Sequence, residues 1–465
     1  MDSASLARLI ETVGGYKQDS LTIVRHGRIV ADAYYAPYVA GVSHDLRSVT
    51  KSVVGTLIAI LLRSGSLNSV DHPVLDLFSD KQVRNVDSAK KAMTVQNLLD
   101  MNSGFEWVEK AYTPDETIMK MYASPDRTAF VLDRQMEGAP GATFYYNSGN
   151  PYLLSALINR KAGQNALEFA TKELFQPLGI KSAKWGTPDA QGVIDGEAGL
   201  FLSPHDMARI GYLYLHGGMW DGRRIIPSSW VERAQAGPVA ATFGTHYGNL
   251  WWSYPEKGAY MARGRHSQLI LVIPRLDVVA VMTGILRDDE FYSIPRLIDD
   301  ITRAVRSDQP LPEDPVSRTL LADVIRQAAT ERPSAVGLTP ELAKAVSGKV
   351  YRFPDEHPLR VKSFTLNFLG PESYWVITTY TDKGEARFTG LFGLDGVYKN
   401  SPPASYGINA AKGRWTNERT FVMDRRILGR SEAQTWTLAF DGDKVTVNFE
   451  NTDGFKAEFR GERGE

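Results

Sequence analysis

Arg47-Ser48-Val49-Thr50-Lys51-Ser52-Val53-Val54-Gly55-Thr56-Leu57-Ile58-Ala59-Ile60-Leu61-Leu62 is the stretch on which the reading of this chain turns. From Val49 onward it is hydrophobic nearly all round, the pattern of a helix enclosed within a protein. Its longest apolar run, residues 53–62, is about half the ~20 residues that span a bilayer, and a glycine follows at Gly65. A buried core helix is therefore expected, not a membrane span. Ser48 and Lys51 stand at its entrance. Their i,i+3 spacing puts both on one helical face, roughly 5–6 Å apart at Cβ. A serine hydroxyl is a poor nucleophile until a neighbour takes its proton, and a lysine amine can do that when burial and nearby charge favour its neutral form. The backbone N–H groups of a helix start can also stabilise an oxyanion. The plain alternative is an N-cap serine beside a surface lysine. Ser88-Ala89-Lys90-Lys91 carries the same spacing in a polar stretch, so context decides between the two.

Outward from this helix the chain reads as strands, helices, then strands. Ser20-Leu21-Thr22-Ile23-Val24 and Ile29-Val30-Ala31-Asp32-Ala33-Tyr34-Tyr35 flank a turn at His26-Gly27-Arg28. Residues 67–202 are mainly helical with long loops. Thr94 is a capping-type residue ahead of Val95-Gln96-Asn97-Leu98-Leu99, and Ser203-Pro204-His205-Asp206 has the N-cap, first-turn proline and first-turn acid of a helix start. Strands return after Tyr247. Leu269-Ile270-Leu271-Val272-Ile273 and Val278-Val279-Ala280-Val281-Met282 form a hairpin around Pro274-Arg275-Leu276-Asp277, and a helix is expected at 291–306. The mixed run Arg287-Asp288-Asp289-Glu290 reads as a solvated turn. One sheet split by a helical insertion, an α/β (α+β) domain over 1–306, follows from this order. Residues 307–345, with Pro310, Pro312, Pro315 and Pro333, read as a structured linker with helical stretches. From 346 to 465 short alternating strands predict a small all-β domain, a barrel or sandwich, with Asp441-Gly442-Asp443 as a hairpin turn. Its aromatic residues are assigned to strand packing ahead of a ligand cavity.

Phe144-Tyr145-Tyr146-Asn147-Ser148-Gly149-Asn150 supplies a tyrosine that could shuttle a proton beside a cation. Alone it reads as an aromatic turn before a helix. Taken with Ser48-Val49-Thr50-Lys51, it resembles the serine β-lactamase and penicillin-binding-protein superfamily, and in particular its class C-like esterases, amidases and 6-aminohexanoate-oligomer hydrolases. Leu98-Leu99-Asp100-Met101-Asn102-Ser103-Gly104, Leu174-Phe175-Gln176-Pro177-Leu178-Gly179-Ile180, residues 199–207 and Leu215-His216-Gly217-Gly218-Met219-Trp220 carry the likeness across about residues 15–305. The resemblance implies a β-lactamase-like antiparallel sheet flanked by helices, followed by an extra β domain of lipocalin-like barrel or sandwich type. It implies Ser48 as nucleophile, Lys51 and Tyr146 as proton carriers and Ser148 as assistant. Tyr145 gives a competing register for the tyrosine.

A third element departs from the family pattern. Where penicillin-type enzymes have Lys-Thr-Gly or His-x-Gly, this chain has Ala262-Arg263-Gly264-Arg265-His266-Ser267-Gln268. Gly264 suits close backbone approach, and an N–H just after it is expected to join that of Ser48 in holding an oxyanion. Arg263, Arg265 or His266 could grip an anionic substrate end, or each could be an ordinary surface residue. Loss of the lysine or histidine and the threonine argues against antibiotic hydrolysis.

Composition narrows the rest. Among 465 residues, 43% are hydrophobic and 23% charged, with net charge −1, so no global field recruits nucleic acid or an anionic membrane. Without cysteine there is no disulfide framework, thiolate nucleophile or cysteine-ligated metal. No Gly-x-Ser-x-Gly elbow, His-Glu-x-x-His pair or phosphate loop occurs, so neither metal nor cofactor is inferred. His26, His72, His205 and His216 sit in turn or helix contexts and read as structural. Met1-Asp2-Ser3-Ala4-Ser5 has no charged-then-apolar leader, which fits a cytoplasmic protein or an exported one whose signal has been removed. The expected partner is a small amide or ester substrate, and oligomeric state stays open. The expected function is a serine hydrolase working through a Ser48 acyl-enzyme. The alternatives are a true β-lactamase or D-amino-acid peptidase and, in another class, a non-catalytic peptidoglycan- or ligand-binding protein.

Overall fold

A computed structural model of the chain describes residues 1–110, 113–287, 293–354, 357–382 and 384–464. Its first layer system is built on an eight-stranded antiparallel sheet. The strands are β1 (Gln18–Arg25), β2 (Arg28–Tyr34), β3 (Val239–Ala240), β4 (His246–Gly248), β5 (Trp251–Tyr254), β6 (Ala259–Gly264), β7 (Gln268–Ile273) and β8 (Val278–Gly284), in the order β2-β1-β8-β7-β6-β5-β4-β3. Everything between β2 and β3 is the insertion, so β1 closes on β8 across a gap of some 250 residues of chain, pairing Leu21 with Met282 and Ile23 with Ala280.

Strand periodicity explains why the central strands are apolar without a break. In β7 every residue is buried. Leu269, Leu271 and Ile273 face one core, and Ile270 and Val272 face the other, since successive side chains point to opposite faces. The first face is covered by helices α1 (Ser3–Gly14), α5 (Ile294–Ala304) and α6 (Pro315–Ala328), with Leu6, Ile10, Leu297, Ile301 and Val324 buried against it. The span 307–345 thus contains a helix packed on the first core as well as proline-rich connections. Of the run at 287–290, Asp288 to Glu290 lie outside the described residues, as do the first positions of the helix expected at 291–306.

The second face carries the helical insertion. Its axis is α2 (Val49–Arg63), in which every residue from Val49 to Leu61 is buried. It packs beside α3 (Gly149–Ala162) and under β6. A third long helix, α4 (Pro204–Leu215), starts as expected: Ser203 Oγ accepts from Asp206 N–H, and Pro204 takes the first turn. The cap on Thr94 is likewise present, with Asn97 completing a capping box. Among the described residues, no helix is long and apolar enough to cross a membrane.

Ten strands from Val350–Arg352 to Lys456–Arg463 form the second sheet. It curls until its ends nearly meet: Leu391 N–H donates to Ser401 Oγ at 2.9 Å, and Gly393 exchanges backbone bonds with residues 411 and 413. The result is a nearly closed barrel, not a sandwich. Its inside is filled by Phe364, Trp375, Phe421, Trp436, Phe440 and Phe449, all buried and in ring-to-ring contact or close packing. Aromatic packing, not a ligand cavity, is what these residues build.

Candidate active site

Ser48 occupies the N-cap position of α2, yet its hydroxyl makes no capping bond, and its own φ/ψ (−69°, −6°) are already helical. The hydroxyl instead accepts from Lys51 Nζ at 2.8 Å. Lys51 is 1% exposed. Its Nζ also donates to the Glu197 carbonyl at 3.0 Å and to Glu197 Oε2 at 3.1 Å. Three acceptors match the three N–H bonds of an ammonium. The rival pair Ser88 and Lys91 is exposed on a short surface helix, while the intervening Lys90 is buried against backbone carbonyls. Burial of the helix separates the two matches.

It is Tyr146 whose ring stands over Lys51, with Nζ 5.1 Å from the centroid, and its face stacks on Trp252 at 6.0 Å. Burial pushes its phenol above the ordinary range, while the Lys51 cation and hydrogen bonding to Ser48 and Lys51 pull it back. Tyr145 is turned away: its hydroxyl donates to the Trp107 carbonyl at 2.6 Å, and the side chain is half exposed. Ser148 Oγ points elsewhere than expected. It donates to Glu109 Oε1 at 2.7 Å and lies 3.4 Å from Glu197 Oε2. Its place is in a carboxylate cluster beneath the site, which also receives the Tyr122 hydroxyl on Glu197 and Trp107 Nε1 on Glu109. Burial pushes the Glu109 carboxyl up, helped by the Glu197 charge and opposed by Lys51. None of Glu109, Glu197 or Tyr122 belongs to a spacing motif. Glu109 lies in a loop and Tyr122 near the end of the short helix Thr117–Ala123, and only the fold brings them under Lys51.

The edge strand closes the site. A Cβ on Gly264 would lie 2.5 Å from the Leu46 carbonyl oxygen and 3.0 Å from Ser48 N, so only glycine lets β6 come this close to the nucleophile's amide. The backbone then turns sharply, with His266 at φ 62° and Ser267 at φ 71°, and Arg47 ahead of Ser48 is at φ 48°. Three side-chain-bearing residues in the left-handed region surround one hydroxyl, a concentration of backbone strain typical of functional sites. Arg263 is exposed at the rim and Arg265 partly so. His266 lines the cavity but is not the surface residue that one of its readings expected. It is buried, with Nδ1 at 2.7 Å from the Leu286 carbonyl and Nε2 at 2.9 Å from Asp453 Oδ1. Ser48, Tyr146, Trp252, Gly264 and Arg265 share the lining of a cavity of about 360 Å³, with Arg263, Lys110 and Arg287 adding positive charge. Away from it, His26 and His205 pair with Asp277 and Asp32, as structural histidines do.

A family model described as Beta-lactamase matches residues 6–287. The chain belongs to the β-lactamase family, and it is a serine-type hydrolase. The 6-aminohexanoate-dimer hydrolase of Paenarthrobacter ureafaciens is 25% identical over 285 residues, 57% of this chain and 71% of that one. Among solved structures, EstCE1, a hydrolase with promiscuous acyltransferase activity, covers 66% of this chain and 99% of its own, with TM-score 0.55 at 15% identity. The octameric penicillin-binding-protein homologue of Pyrococcus abyssi covers 99% of this chain and 100% of its own, with TM-score 0.52 at 17% identity. The last shares the fold through the barrel as well.

Proposed function

We propose that the protein cleaves small amides or esters through an acyl group carried on Ser48. The observation that carries this reading is the Ser48 hydroxyl, released from capping and held 2.8 Å from a buried lysine. In the first step Ser48 Oγ attacks the substrate carbonyl carbon. Its proton passes to Tyr146, which enters the step as a phenolate whose negative charge is offset by the Lys51 ammonium 5.1 Å from the ring centre and is neutralised as the proton arrives. The carbonyl oxygen becomes an oxyanion between the N–H of Ser48 and that following Gly264. Tyr146 then hands the proton to the leaving nitrogen or oxygen as its bond to carbon breaks. Water enters, loses a proton to Tyr146 and bonds to the acyl carbon, and Tyr146 gives that proton to Ser48 Oγ as the ester bond breaks and the acid leaves. Ser148 acts at one remove by holding Glu109 and Glu197, the second of which anchors Lys51.

A cavity of about 360 Å³ limits the reacting part of the substrate to a small molecule. A relative named as a 6-aminohexanoate-dimer hydrolase supports this class over β-lactams, for which Ala262 and Arg263 replace the usual carboxylate-holding residues. The test is Ser48→Ala. We expect turnover of 4-nitrophenyl acetate to fall at least ~10³-fold and fluorophosphonate labelling to vanish, with an unchanged circular-dichroism spectrum. Labelling or turnover that survives the substitution removes Ser48 as nucleophile. Nitrocefin run in parallel reports whether lactams are accepted at all.

A further inference from the structure

We propose that Asp453, a residue of the C-terminal barrel, is a positioning and specificity-determining residue of the Ser48 site. It lies in the turn joining strands Lys444–Asn451 and Lys456–Arg463 and reaches the rim of the hydrolase cavity. Its Oδ1 accepts from His266 Nε2 at 2.9 Å and lies 3.5 Å from Arg265 Nη2, while Oδ2 lies 3.8 Å from Arg47 Nη2. A second barrel residue, the fully buried Ser431, accepts from Arg47 Nε at 2.5 Å. On the strand leading into this turn, Glu450 stands 3.7 Å from Arg287 Nη1.

Two consequences follow from these contacts. The first is positional. His266 and Arg47 are two of the three left-handed residues beside the amides expected to hold the oxyanion, and such backbone persists only where its surroundings hold it. Asp453 binds the side chains of both, so the barrel fixes the geometry of a site whose nucleophile lies some 400 residues away in sequence. The second is electrostatic. Arg265 and Arg287 line the cavity, and barrel carboxylates pair with both. With those charges matched, the rim gains less from an anionic substrate than its arginine content suggests. Asp453 thus tilts the enzyme toward uncharged substrates.

This inference rests on the reading of Ser48 as nucleophile, and the experiment separates the two. The full chain, Asp453→Asn and Asp453→Glu are compared on phenyl acetate and on 4-carboxyphenyl acetate, esters identical but for one carboxylate. For Asp453→Asn we expect kcat/KM on phenyl acetate to fall about tenfold. The anionic-to-neutral ratio of kcat/KM should rise at least fivefold. Glutamate at 453 should restore much of both, which a purely structural loss would not do. A ratio equal to that of the wild type in a folded Asp453→Asn enzyme overturns the proposal. Should Asp453→Asn lose its fold, Glu450→Gln reads the same ratio at the half-exposed Arg287 pair. There a rise supports control by barrel carboxylates and a fixed ratio ends it. Fluorophosphonate labelling of the wild type keeps the two ideas apart: an unlabelled, inactive wild type discards the nucleophile and this inference together, whereas a labelled, active one with an unmoved ratio discards only this inference.

Discussion

Around Lys51 three carboxyl groups, Glu109, Asp195 and Glu197, crowd one cation. Glu197 accepts directly from Nζ, whereas burial and the Glu197 charge push the Asp195 carboxyl up to about 7. A carboxyl raised on folding adds most stability below its ordinary value of 3.8 and loses it as pH climbs through about 7, because the folded state resists ionising it. Asp195→Asn removes that ionisation but keeps an oxygen for the Glu197 N–H it accepts at 3.0 Å. We therefore expect its melting temperature to exceed the wild type's by more at pH 8 than at pH 5, by about 2–4 °C for each kcal/mol relieved. Equal differences at the two pH values would discard a buried, reluctantly ionised Asp195. These acids could not be found by spacing. Glu109 and Glu197 lie 88 positions apart, and no local pattern marks residues whose partner is a lysine from a third segment.

At the scale of elements, what matters is how closely β6 approaches the start of α2. The gap admits a hydrogen at Gly264 and nothing larger. Alanine there would press on the Leu46 carbonyl and the Ser48 amide, so the strand must retreat. Overpacking of this kind costs about 1–3 kcal/mol, and a displacement near 1 Å in a reacting site can cost ~10²-fold in rate. Gly264→Ala should lower kcat by one to two orders of magnitude with a smaller loss of thermal stability. A variant with wild-type kcat would show that the approach of β6 does not matter to the chemistry. The elements themselves were legible to different degrees. Helix starts at Thr94 and Ser203 were readable because a cap depends on three or four consecutive residues. The β7–β8 hairpin was readable from two apolar runs and a turn, with Asp277 at φ 52° completing it. By contrast, the burial of His266 depends on a barrel turn almost two hundred residues further on, and its own neighbours in sequence look like a surface loop.

For the molecule as a whole, the barrel is held by more than the cavity rim. Asp19, wholly buried in β1, receives both hydrogen bonds of one Arg426 nitrogen at 2.7 Å and one from His44 Nε2 at 2.9 Å. Asp45 N–H donates to the Gly429 carbonyl nearby. Burial by itself would raise the Asp19 carboxyl, but Arg426 and His44 outweigh it and hold it below its ordinary value. The stability this provides is therefore complete above about pH 4 and is lost as pH falls further, where the carboxylate must take up a proton. Truncating one partner of a buried pair strands the other charge, at about 3–5 kcal/mol. Arg426→Ala should accordingly lower denaturant stability by about that amount. It should also uncouple the two units, so that they unfold in separate transitions or the barrel becomes susceptible to protease. A variant that unfolds at the wild-type midpoint would mean the triad contributes nothing to docking.

Sequence by itself determined the parts governed by short-range rules: a serine and a lysine one helical turn apart, a helix apolar on all sides, alternating strands in the last third, and the likeness to β-lactamase-type enzymes that these carry. Tertiary structure decided which tyrosine faces the lysine, which carboxylates surround it, where Ser148 points, and that a barrel acid reaches the rim. The physical reason is range. Helix phase and strand alternation repeat within a few residues, whereas a hydrogen bond or ion pair across a cavity depends on where two distant segments have been packed, and packing is a property of the whole chain.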